Sequence, residues 1–251
     1  MRRVLATTTV TALALALAAC GSGNDSGDGS TTLHVAAAAS LTRPFEQIAT
    51  AYEKQHRGVQ VELQFAGSSD LATQVVNGAQ IDVFASADTA NMDKVGDAIT
   101  GDPAIFATNT LTIITEPGNP KKITGLKDLE RSDLAVVVCA PQVPCGTATQ
   151  MLMKRQHVTI DAASEEAQVT DVLTKVTTGE ADAGLVYVTD ATGAGDAVDT
   201  VATKGADQVV NTYPIAPIAG NASPDEAQAF VDHVTGPEGQ KVLKAKGFGA
   251  P

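Results

Sequence analysis

From Leu33 onward the chain switches repeatedly between two periodicities, and small-residue turns mark each switch. Apolar residues at i, i+3, i+4 and i+7 lie on one face of a helix, whereas strict alternation lies on one face of a strand. Leu33 to Ala38 reads as a buried strand, and Pro44 to His56 as a helix carrying Phe45, Ile48, Ala49 and Tyr52 on one stripe. Val59, Val61, Leu63 and Phe65 alternate, then Ala66-Gly67-Ser68-Ser69 turns into a helix with Leu71, Val75 and Val76. Strands follow at Ile81 to Ala85, Ala107 to Thr115, Leu134 to Val138 and Ala183 to Val188, with helices near Asn91 to Val95, Thr147 to Arg155 and Val169 to Val176. Strand and helix in alternation predict an α/β fold. Near the end, Ser223-Pro224-Asp225-Glu226 has the form of a capped helix start.

About 220 residues from Leu33 suit one large domain or two small ones. No interior linker or repeat appears, so two domains must be joined by ordered extended crossings. Ala107 to Thr110 and Tyr213 to Pro217 are the candidates, which sets a first lobe at 33–108 plus 217–251 and a second at 109–216.

The N-terminus has a separate logic. Met1-Arg2-Arg3 is basic, and Val4 to Ala19 is uncharged and too short to span a bilayer comfortably. Leu17-Ala18-Ala19-Cys20 sets small residues before a thiol, the pattern of a lipoprotein signal peptide over residues 1–19 with lipidation at Cys20; a plain secretion signal that ends at Cys is the alternative. Residues 20–32 hold no apolar side chain large enough to pack and read as a flexible tether. If Cys20 carries lipid, Cys139 and Cys145 are left to pair, and export favours a disulfide. A redox pair and a metal site are the rivals, but His34, His56, His157 and His233 are scattered.

The formal charge of −12 at pH 7 argues against nucleic acid and against charge-driven contact with anionic lipid. Three strand-to-helix turns nevertheless suit an anion: Ala39-Ser40-Leu41, Gly67-Ser68-Ser69 and Pro144-Cys145-Gly146-Thr147. Ligands in open α/β sheets bind at the carboxyl ends of strands, where helix N-termini bring unpaired N–H groups and about half a positive charge each. A site of this kind needs no Lys or Arg. The competing reading makes Ser40 and Ser68 ordinary N-caps.

Five segments together are specific: Ala37-Ala38-Ala39-Ser40-Leu41, Phe65-Ala66-Gly67-Ser68-Ser69, Ile81 to Asp88, Val143-Pro144-Cys145-Gly146 and Gly179 to Tyr187. In this order and spacing the chain resembles the substrate-binding proteins of bacterial molybdate ABC importers, over essentially all of 33–250. The resemblance implies a two-lobed periplasmic binding protein fold of type II. It implies an oxyanion held by hydroxyl and amide groups of Ser40 and Ser68, backbone amides of Cys145 and Val169, and the Tyr187 hydroxyl. Molybdenum then enters as molybdate, with tungstate as its close analogue, without protein ligands to the metal and without a cofactor. The expected partner is a membrane permease, and the expected state is a monomer held at the outer face of the cell membrane through Cys20.

Two residues beside the site depart from the family pattern. Asp70 stands where a small neutral residue is usual, and is expected to cap the helix after Ser69; Arg43 is expected to be solvated, or else to offset Asp70. Receptors for sulfate or phosphate are the nearest alternatives in function. A hydrolase with Ser68 as nucleophile is the distant one, and neither a Gly-x-Ser-x-Gly elbow nor a well-placed His supports it.

Overall fold

The computed structural model describes residues 30–251. The expected signal peptide, Cys20 and most of the expected tether therefore lie outside the described residues. Among the described residues no helix is long and apolar enough to cross a membrane.

One continuous sheet runs through the molecule and changes character in the middle. In its first half, β1 (Thr31–Ala38) lies parallel between β2 (Val59–Ala66) and β3 (Val83–Ala85), and β9 (Val210–Pro217) runs antiparallel to β3. The strand β4 (Ala104–Thr115) is shared. Ala104 to Thr110 pairs with β9, and from Leu111 the same strand pairs with β7 (Ala183–Tyr187). The second half continues from β7 to β5 (Val136–Cys139) and β6 (Ser164–Glu166), while β8 (Asp199–Val201) adds to β4. In β1, Val35 to Ala38 are all buried, as expected of a parallel strand covered on both faces, whereas β2 at the edge alternates.

Each half has its own core. In the first lobe, α1 (Thr42–Gln55) sets Phe45, Ile48 and Tyr52 against Phe230 and Val234 of α7 (Pro224–Thr235) and Leu243 of α8 (Pro237–Ala245). Phe45 meets Phe106 at 5.9 Å and Tyr52 meets Phe230 edge-on at 5.2 Å. The opposite face is covered by α2 (Ser68–Val76) and α3 (Thr89–Val95) through Leu71, Val75 and Met92. The second lobe packs α4 (Pro144–Gln156) and α5 (Val169–Thr177) on its sheet through Leu152, Val172 and Val176. The lobes meet through β4 and β9.

Several details differ from the sequence reading. β1 begins at Thr31, inside the expected tether, because Thr31 and Thr32 pair with Val59 and Gln60. Tyr213 and Ile215 pack in the first core, so the return crossing lies nearer residue 210 than 217. Helix α6 (Val188–Ala194) has β-branched residues and glycine in place of a stripe, and carried no helical signal. β6 and β8 are three residues each, too short to show alternation. Ser223 precedes α7, but its side chain makes no capping bond; Pro224 at the first helical position is what starts that helix.

Candidate ligand site between the lobes

Four chain reversals bring helix starts to one point. The short 3-10 turn Ala39–Leu41 leads into α1, and α2, α4 and α5 begin at Ser68, Pro144 and Val169. First-turn amides have no intrahelical acceptor. The residues preceding these three helices, Gly67, Val143 and Gln168, supply no side-chain cap either, so the amides point onward.

All five residues singled out from the sequence line the same small cavity: Ser40 and Ser68 on one side, Cys145, Val169 and Tyr187 on the other. Ser40 is 8% exposed and the other four are 3% or less. No Asp, Glu, Lys, Arg or His lines it. The space is about 10 Å³, where a single water needs roughly 10 to 15 Å³. The cavity as it stands holds no more than a water-sized species, so a larger anion enters only as the two walls part. Burial raises the Tyr187 pKa well above its ordinary value, so the hydroxyl keeps its proton.

The hydroxyls are held from behind. Ser68 Oγ accepts from the Ala87 N–H at 3.0 Å, Ser40 Oγ lies 3.1 Å from the Tyr213 hydroxyl, and Asn211 Nδ2 donates to the Tyr187 oxygen at 2.9 Å. Neither serine is an N-cap: Ser68 is the first residue of α2, and Ser40 sits within the 3-10 turn. Close backbone approach demands glycine twice. A Cβ on Gly67 would lie 2.1 Å from the Ala167 carbonyl oxygen of the opposite lobe, and one on Gly146 would lie 1.9 Å from the Ala140 oxygen. A disulfide joins Cys139 at the end of β5 to Cys145 in the first turn of α4, with Cα atoms 5.7 Å apart.

Asp70 is not the expected cap. Asp70 is exposed in the first turn of α2, where Gly67 is the cap residue, and it does not line the cavity. Its charge favours the helix dipole without touching the site. Arg43 is exposed, as expected, and is not paired with Asp70. It donates to the Gly193 carbonyl across the cleft, beside a neighbouring cavity of about 390 Å³ that Asp190 and Lys246 also line. Asp190 accepts from the Tyr187 N–H at 3.1 Å. Burial pushes its pKa up to about 7, against the opposing pull of that hydrogen bond and of Arg43. Sequence reasoning also missed Tyr213, Asn109 and Asn211, whose one signal is a polar residue within a strand that crosses between lobes. Among the described residues no group of three or more His, Cys, Asp or Glu is placed to hold a metal ion.

Two α/β lobes on a shared pair of crossing strands, with a polar but uncharged cavity between them, define a two-lobed solute-binding protein of the type II periplasmic class. The chain belongs to the bacterial extracellular solute-binding protein family, whose model matches residues 33–249. It is 49% identical over 219 residues to the molybdate-binding protein ModA of Mycobacterium tuberculosis, covering 86% of this chain and 84% of that one. With the molybdate-binding protein ModA of Escherichia coli it shares 32% over 227 residues, 85% of this chain and 87% of the relative. The solved periplasmic molybdate-binding protein of Azotobacter vinelandii superposes with a TM-score of 0.74 at 23% identity, over 87% of this chain and 99% of that one, a likeness of fold.

Proposed function

We propose that this protein captures molybdate, and tungstate with it, outside the cytoplasmic membrane and delivers it to the permease of an ABC importer. The observation that carries the reading is the uncharged cavity where helix starts and hydroxyls from both lobes converge. Ser40 and Ser68 each offer a hydroxyl and an amide, Cys145 and Val169 an amide, and Tyr187 its hydroxyl. Hydrogen bonds to a charged acceptor contribute roughly 1.5 to 3 kcal/mol each. About seven of them give a gross gain on the order of 10 to 20 kcal/mol. Association and ordering cost about 4 to 15 kcal/mol, which leaves micromolar to nanomolar affinity.

An array of donors also selects. Hydrogen phosphate presses its own O–H against another donor, a mismatch of about 1 to 3 kcal/mol, and sulfate, whose bonds are shorter, has to be rejected by the spacing of the donors once the lobes close. Because both lobes supply donors, the anion favours the closed arrangement, and closure is the state a permease reads. The protein acts as a monomeric binder tethered by lipid on Cys20, and not as an enzyme. Ser68 accepts a hydrogen bond from Ala87 and has no histidine beside it in the cavity, which speaks against a hydrolase.

Titration calorimetry with molybdate, tungstate, sulfate and phosphate tests the reading. Tight binding of the first two alone is expected, and Ser68→Ala should weaken it by about 10- to 100-fold. Heat from phosphate or sulfate and none from molybdate would overturn it. Turnover of an ester that Ser68→Ala abolishes would put a hydrolase in its place.

A further inference from the structure

Two asparagines face each other where the chain crosses between lobes. Asn109 of β4 is the register partner of Asn211 in β9, and each is 6% exposed. A buried amide costs free energy unless its polar groups are bonded, so what these two touch is informative. Asn109 donates to the Thr189 hydroxyl at 2.7 Å. Asn211 has three neighbours around Nδ2: the Ala87 carbonyl oxygen at 2.9 Å, the Tyr187 hydroxyl at 2.9 Å and the Pro144 carbonyl oxygen at 3.5 Å. Two of the three are carbonyl oxygens, which only accept, so this end of the side chain is the NH₂ group. It has two protons, and the two short contacts take them. The Tyr187 oxygen is therefore an acceptor toward Asn211, and its own proton is left for the cavity or for the neighbouring Tyr213 hydroxyl, which Ser40 Oγ already engages at 3.1 Å.

We propose that Asn211 is a positioning residue for oxyanion capture, which fixes the Tyr187 hydroxyl as a donor toward the cavity while its bond to Ala87 ties that direction to the closed arrangement. The proposal rests on reading the small cavity as the oxyanion site. Ala87 belongs to the first lobe, while Tyr187 and Pro144 belong to the second, so Asn211 makes these contacts together only when the lobes are shut. Ala87 is held at both ends, its N–H by Ser68 Oγ and its carbonyl by Asn211. The Ser68 hydroxyl thus accepts from behind as Tyr187 does, and its proton too is free to face the cavity. A hydroxyl left without such a partner can rotate and accept a proton from hydrogen phosphate. With Asn211 in place Tyr187 cannot, and at that position the protonated anion meets a donor.

The test is calorimetry of the wild-type protein, Asn211→Ala, Asn211→Asp, Tyr187→Phe and the double variant N211A/Y187F, each with molybdate and with inorganic phosphate, and with melting temperature as a check on folding. Asn211→Ala should weaken molybdate about 10-fold, the loss of one charge-directed hydrogen bond. It should leave phosphate unchanged or tighter, so the selectivity ratio collapses. Asn211→Asp, whose carboxylate draws the Tyr187 proton toward itself, should lose more at pH 8 and recover part of it as the pH falls. In the Tyr187→Phe background Asn211→Ala should cost less than about threefold, because the hydroxyl it directs is gone. Parallel losses for molybdate and phosphate, or additive losses in the double variant, would overturn the proposal. If neither Asn211→Ala nor Asn211→Ser folds, Asn211 is a structural anchor and the proposal falls. A wild-type protein that binds no oxyanion defeats the proposed function itself, whereas wild-type binding with unaffected variants defeats the role of Asn211 alone.

Discussion

The two walls of the cavity are built from different materials. On the proposed reading the first lobe adds two side-chain hydroxyls, of Ser40 and Ser68, to its amides, whereas the second relies on main-chain amides at Cys145 and Val169 with one phenol, Tyr187; all five residues line the cavity. A side-chain donor is specified by residue type. A main-chain donor is specified by where a helix begins, and almost any residue serves there. The first wall should therefore fail through chemistry and the second through shape, and substitutions that separate the two test the distinction.

The largest effect should come from Gly67→Ala, which removes no donor. The added Cβ would meet the Ala167 carbonyl oxygen at 2.1 Å and Val143 Cγ1 at 3.7 Å, all of them atoms of the opposite lobe. Closure is obstructed while the first lobe by itself has room. Molybdate affinity should fall by more than about 100-fold, since a rigid backbone clash removes the second wall's donors together. The ligand-free protein should lose only about 1 kcal/mol, the cost of alanine at a cap position. Small-angle scattering should show a variant that stays open with molybdate present. Gly146→Ala is the control, because its clash with Ala140 lies within the second lobe and should lower stability directly. Equal stability losses in the two variants would break the comparison.

A smaller effect is expected from replacing Cys139 and Cys145 together by serine. The disulfide closes a short loop, worth about 2 kcal/mol on the chain-entropy model. At this chain length that lowers the melting temperature by about 4 to 8 °C. Affinity should fall by less than about 10-fold, because the donor at position 145 is an amide that serine also carries. A loss as great as that of Ser68→Ala would mean that the bridge, and not the start of α4, aims the amide.

This asymmetry also explains what the sequence could convey. Ser40 and Ser68 announce themselves as hydroxyl residues on turns after strands, and the strands and helices around them follow from periodicity. Cys145 and Val169 are different: Val169 alone is a helix-stripe residue, and its place in the cavity came from the family resemblance. Asn211 carried only the signal of a polar residue within a crossing strand, since its role depends on a fold that brings Ala87, Pro144 and Tyr187 to it from 124, 67 and 24 residues away. Arg43 shows the same limit. Its partner is a carbonyl oxygen at Gly193, and no residue type marks a carbonyl.

The smallest expected effect on binding, and the sharpest on pH dependence, belongs to Asp190. It lies behind the second wall, accepting from the Tyr187 N–H, and burial lifts its pKa from the ordinary 3.8 to about 7. Between those two values the folded protein holds a proton that the unfolded chain has released. Stability from this group is therefore greatest at low pH, and it falls as the pH rises through 7. Asparagine keeps an oxygen for the Tyr187 N–H and removes the charge. Asp190→Asn should match the wild type near pH 4 and gain stability progressively above it, levelling off beyond pH 7. A displacement of this size carries at most about 4 kcal/mol, and solvent in the adjoining cavity together with the lost attraction to Arg43 reduces it to about 1 to 3 kcal/mol. Melting curves from pH 4 to 8 measure this, and a difference that stays flat over that range would show that Arg43 holds Asp190 ionised throughout. Molybdate affinity should change less than about threefold, because Asp190 lines no part of the small cavity and asparagine keeps its bond to the Tyr187 N–H.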